Sequence, residues 1–243
     1  MDDISFSLTP GQLPAVLTIF LTIIGFNTFW FIAESPRRKQ QLQQRYSKEE
    51  ASIKLVQFQK YTGVLFLGVI PLTICLLIFP YSLADYGLGF QHSGTSLLWI
   101  FGLACLIFPI NIKNAKTPAN LSMYPMMRVE SWTPALIFKN SLATISYLFA
   151  YELLFRGLLL FSCVEVLGVW PAIAVNVALY SAVHLPKGPA ETIGAIPFGL
   201  LVCYITLSTG TIWVAVVIHC ILSLSNDYLA VHFHPQMYFK KHS

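Results

Sequence analysis

Along this chain the apolar positions run in long blocks rather than alternating or recurring on one face. Seven windows stand out, at about Leu13 to Ala33, Tyr61 to Pro80, Ser96 to Ile112, Leu136 to Cys163, Pro171 to His184, Thr192 to Leu207 and Thr211 to Leu229. A hydrocarbon core about 30 Å thick asks for roughly 20 mostly apolar residues per helical crossing. The blocks therefore predict an all-α polytopic membrane protein, a bundle of about seven transmembrane helices. The first window is preceded by no Lys or Arg and exceeds a signal-peptide core, so it is expected to span rather than be cleaved.

Composition agrees with this pattern: 56% of the 243 residues are hydrophobic and only 11% are charged. Charge then sets an orientation. Arg37, Arg38, Lys39, Arg45, Lys48, Lys54 and Lys60 fall between the first two windows, and the positive-inside bias places that stretch in the cytoplasm. Lys113, Lys116, Arg128, Lys139, Lys187, Lys240 and Lys241 then fall on the same side of an N-out, C-in bundle, while the outer connections carry no Lys or Arg. The run "RRKQQLQQRYSKEEASIK" is expected to be a solvated extension near anionic head groups. The net charge of +4 belongs to this face, and no interleaved basic and aromatic pattern points to nucleic acid. The five cysteines lie in apolar windows without a CxxC pair and are expected to pack.

Three units are expected: 1–134 with three helices and the basic loop, 135–230 as the functional helical core, and 231–243 as a cytoplasmic tail. The chemistry concentrates in the core. Glu152 and Arg156 are four residues apart in "AYELLFRGLLLF", stacked on one helical face. A charge at mid-membrane costs on the order of 2.5–3.5 kcal/mol on insertion scales, so it is expected to face the interior with a partner. As architecture alone, the pair would clip two helices together. His184 closes the fifth window in "YSAVH", and His219 begins a polar stripe with Ser223 and Asn226 at i, i+4, i+7 on the last helix. A helical rise of about 1.5 Å per residue puts Glu152 and His219 roughly 20 Å and His184 roughly 10 Å from the inner face. One cavity open to the cytoplasm is the expected meeting place.

These three segments resemble the motifs of the CAAX protease and bacteriocin-processing family, intramembrane proteases that include the type II CAAX prenyl endopeptidases. The family pattern is E-E-x-x-x-R, then F-x-x-x-H, then H-x-x-x-N. Here the segments read "YELLFR", "YSAVH" and "HCILS". The resemblance covers about Leu136 to Asp227. It implies an endopeptidase acting on a peptide substrate at the membrane, with water activated by a glutamate and a histidine and an oxyanion held by the third motif. Glu152, His184 and His219 are the catalytic expectation, with Arg156, Tyr151, Ser223 and Asn226 in support. Two positions depart from the pattern: Tyr151 stands where the family has its first glutamate, and Ser223 where it has asparagine. A phenol of unperturbed pKa about 10 is a poor general base.

Two departures keep a second class open, an inactive scaffold of the same fold serving immunity, chaperoning or partner binding, with a membrane partner protein. A transporter is a third class, opposed by the lack of repeated halves. No cofactor is expected. Zinc ranks lower, because HExxH is missing and Arg156 competes for the carboxylate. The expected location is the plasma (inner) membrane of a bacterium, as a multi-pass protein.

Overall fold

A computed structural model of the chain describes residues 7–90 and 92–240; Lys241, placed above in the tail, lies outside the described residues. Among the described residues are eleven α-helices: α1 Leu13–Ala33, α2 Pro36–Arg45, α3 Lys48–Gly63, α4 Ile70–Ile78, α5 Ser93–Asn114, α6 Pro118–Met123, α7 Pro134–Glu152, α8 Phe161–Leu167, α9 Val169–Ala182, α10 Pro189–Thr209 and α11 Trp213–Phe233. Two π-helical stretches, Val64–Val69 and Leu153–Leu160, join α3 to α4 and α7 to α8 without a break. Among the described residues six helical stretches, several of them counted across a junction or short break, are long and apolar enough to cross a membrane, and the protein is an integral multi-pass membrane protein of the all-α class.

The fifth expected window is the exception. Helix α9 has 14 residues, about 21 Å at the helical rise, short of a full hydrocarbon thickness. Gly168, at φ 78°, ends α8 in front of it, and the Leu185–Lys187 turn closes it behind. The basic stretch also differs from a simple solvated loop. Pro36 opens α2, which is exposed, whereas Ser47 and Glu50 form a reciprocal capping box that starts α3. Helix α3 continues inward, so that Lys60, counted above with the cytoplasmic cations, is 5% exposed within the bundle end.

The α7 to α8 span is the axis of the fold: 78% of its most apolar window is buried, against 22% to 44% for the other five spans. Thr133 caps it by accepting the Leu136 N–H at 3.2 Å, with Pro134 in the first turn. Glycine lets neighbours close on it. A Cβ on Gly68 would lie 2.7 Å from the Ala150 Cβ, so the second span and α7 are in backbone-close contact one residue before Tyr151. A Cβ on Gly157 would meet the Tyr86 carbonyl at 2.9 Å.

Two short strands, β1 Ser131–Trp132 and β2 Tyr238–Phe239, pair in parallel. The chain therefore returns, after α7 to α8, α9, α10 and α11, to the face from which it left. Of the cysteines, Cys75, Cys163 and Cys203 are buried, Cys220 is half-buried and Cys105 is exposed, all as free thiols.

Candidate active site

The π-helical stretch Leu153–Leu160 follows Glu152 directly. Such a stretch shifts the hydrogen-bond register and leaves carbonyls to be satisfied from elsewhere. Asn176 of α9 does this, donating to the Phe155 carbonyl at 2.5 Å, while its own carbonyl oxygen accepts from the Cys203 thiol at 3.2 Å. One buried amide thus ties α9 and α10 to the axis.

Glu152 and Arg156 are both fully buried, with Nη1 and Oε2 3.2 Å apart. The other carboxylate oxygen, Oε1, is 2.6 Å from His219 Nδ1. A carboxylate only accepts, so Nδ1 carries a proton and donates, and in the tautomer with that single proton Nε2 is an acceptor. His184 shows the same tautomeric logic: its Nδ1 donates to the Tyr180 carbonyl at 2.8 Å, which leaves its Nε2 free to accept. The Tyr180 ring lies under the guanidinium of Arg156, 4.1 Å from its centroid, and supports the cation that holds Glu152.

Tyr151 links the two imidazoles. Its ring meets His219 at 5.8 Å and His184 at 6.4 Å, edge-on to each. Phe155, Tyr180 and Tyr147 pack on its remaining sides at 4.8, 5.7 and 6.0 Å. Its hydroxyl is buried without a hydrogen-bond partner.

A cavity of about 240 Å³ opens at this cluster, walled by Tyr151, His184, His219 and Ser223. Glu152 and Arg156 do not reach its wall: the carboxylate expected to face water sits behind the imidazole, with both oxygens engaged. Asn226, three residues beyond Ser223, is half-buried and also off the cavity wall. No three His, Cys, Asp or Glu side chains are grouped as metal ligands among the described residues.

Much of the cavity wall comes from positions the motifs do not touch. Phe26, Phe29 and Trp30 of α1, Lys60 of α3, and Met123, Tyr124 and Met126 of the connection before α7 line it. Lys60 donates to Asn140 Oδ1 at 3.0 Å and to Thr144 Oγ1 at 2.5 Å, and Asn140 donates on to Asp227 at 3.3 Å. A lysine directly before an apolar window is the sequence signal for this cluster, and the same position also fits a cytoplasmic loop cation. At the mouth, Glu191 of α10 accepts from the Tyr124 hydroxyl at 2.9 Å and pairs with Lys187 at 3.4 Å. Burial, then the Glu191 charge, pushes the Tyr124 phenol above its ordinary range, so it remains a neutral donor there.

Residues 133–225 match the family model described as type II CAAX prenyl endopeptidase Rce1-like. The matched stretch contains Tyr151, Glu152, Arg156, His184, His219 and Ser223, and ends one residue before Asn226. Neither the curated proteins nor the solved structures contain a match to the chain.

Proposed function

Because residues 133–225 match the model of the Rce1-like type II CAAX prenyl endopeptidases, we propose that the protein is an intramembrane endopeptidase of that kind whose working base is His219 backed by Glu152. The observation that carries this reading is the 2.6 Å contact between the buried carboxylate and His219 Nδ1, with the ring on the cavity wall. Glu152 then acts through His219 rather than on water. It fixes the tautomer and stabilises the imidazolium that forms when Nε2 takes a proton, with Arg156 as the carboxylate's counter-charge.

His184 supplies the second acceptor. A water held by its two hydrogens, one toward each Nε2, presents a lone pair to a peptide carbonyl in the cavity. Attack places that proton on His219, which returns it to the leaving nitrogen as the C–N bond breaks. Ser223, half-buried on the same wall, is a donor for the developing oxyanion. General-base assistance of this kind contributes about 10²–10⁴ in rate.

The cavity faces the cytoplasm in this reading. Its mouth is made by Glu34, Tyr124 and Lys187, at the end where the basic segments gather, and the β1–β2 pairing brings residues 238–239 to the same end. A bacterial plasma membrane suits such a chain, with the bilayer and a membrane-presented peptide as its partners.

The test uses purified protein in nanodiscs and a panel of fluorogenic apolar peptides. Cleavage lost in His219→Ala and His184→Ala, in variants that insert normally, supports the assignment; unchanged cleavage removes it. One observation favours the scaffold reading, namely that the aromatic ring of Tyr151 fills the space against both imidazoles where the family has a carboxylate. Peptide binding without cleavage, persisting in Tyr151→Glu, establishes that alternative.

A further inference from the structure

Among the described residues, Tyr151 is the one cavity-wall side chain whose buried polar atom has no hydrogen-bond partner. It is 4% exposed, and five aromatic or imidazole rings hold it, at centroid distances from 4.8 to 6.4 Å. The backbone beneath it is equally constrained, because Ala150 is pressed against Gly68. Leaving a buried hydroxyl unsatisfied costs free energy, and packing alone is served as well by phenylalanine. A donor orphaned on a side chain of the cavity wall lacks an acceptor, and a molecule entering the cavity can bring one.

The geometry points to Tyr151 as the hydrogen-bond donor to the carbonyl oxygen of the scissile peptide bond, a role that rests on the proteolytic reading. The chemistry balances without altering the phenol. Water oxygen bonds to the carbonyl carbon, its proton passes to His219, and the carbonyl π pair moves onto oxygen, where the Tyr151 O–H donates to it without giving up its proton. Collapse restores the carbonyl and expels the nitrogen, protonated by His219. In dry surroundings such a donor gains most when its acceptor becomes an anion, so it favours the transition state over bound substrate. The substitution of tyrosine for a carboxylate at this position then moves the residue from activating water to receiving charge.

The experiment compares an apolar fluorescent peptide with the same peptide carrying a phosphinate in place of one peptide bond. Binding is measured to wild-type protein and to Tyr151→Phe in nanodiscs, with cleavage of the unmodified peptide followed in parallel. Wild type should bind the phosphinate at least about tenfold more tightly than the parent. Tyr151→Phe should lose about tenfold for the phosphinate and less than about twofold for the parent, with an unchanged or higher thermal midpoint. Equal losses for both ligands, no loss for either, or no wild-type preference for the phosphinate overturns the assignment. Cleavage equal in wild type and Tyr151→Phe overturns it while proteolysis stands. A phosphinate preference that needs the hydroxyl, in a protein that never cleaves, supports the donor and sinks proteolysis instead.

Discussion

Glu152 gives one carboxylate oxygen to Arg156 and the other to His219, so an acid four residues from a cation on one helix is also the anchor of an imidazole 67 positions away. The ion pair is consequently both a clip and, in the proposed mechanism, a part of the site. The two roles separate experimentally.

Glu152→Gln leaves the Arg156 cation buried without its counter-charge and should lower stability by about 3–5 kcal/mol. Replacing both members, as Glu152→Gln with Arg156→Met, removes the uncompensated charge and should recover most of that loss. Cleavage should stay down by about 10²-fold or more in both variants, because neither restores the His219 acceptor pair. Thermal unfolding in detergent and peptide cleavage, measured on the same preparations, check the split. Recovery of activity along with stability refutes an active role for Glu152.

His184 and His219 are expected to fail in different ways. His219→Ala deletes the proposed base and should reduce kcat by about 10²–10⁴ with little change in KM. His184→Asn keeps a side chain able to accept from water and should retain more activity than His184→Ala. Steady-state kinetics on one cleavable peptide decide it. Identical losses in His184→Asn and His184→Ala argue against a water-holding role.

Lys60 secures the N-terminal helices to the core through Asn140 and Thr144, with Asp227 behind. Lys60→Met forfeits charge-assisted hydrogen bonds and should destabilise by about 1.5–3 kcal/mol. Asp227→Asn in the same chain should soften the loss, since the buried anion goes with the cation. A double-mutant cycle on unfolding in detergent measures the coupling, and additivity within error contradicts a shared network.

Gly68 has no room for a methyl group against Ala150. Gly68→Ala should cost about 1–3 kcal/mol by overpacking and reduce cleavage by displacing Tyr151. Ala150→Gly in the same chain should rescue both, because it removes the atom that is struck. Failure of the rescue in stability and activity assays places the strain elsewhere.

The windows, the buried ion pair and the order of the two histidines could be read directly because membrane insertion is a property of single segments. A block of apolar residues must be helical to satisfy its own backbone, and a charge within it must turn inward. That is why Leu13–Ala33 was legible to the residue, and why Glu152, Arg156, His184 and His219 were all singled out. The short α9 and the inward run of α3 were less legible, since helix ends depend on what packs there rather than on hydropathy.

What the amino acids by themselves determined is therefore the environment, the helices and the set of reactive side chains. Only the tertiary structure decided which of them meets the cavity. Helical periodicity orders residues around one axis, but it says nothing of the neighbours on each side, and the π-helical stretch after Glu152 alters the angular steps on which such a projection relies. Packing between helices turned the carboxylate behind His219, set Tyr151 against both rings, and brought Phe29, Trp30 and Lys60 to the wall from the part of the chain that carries no motif.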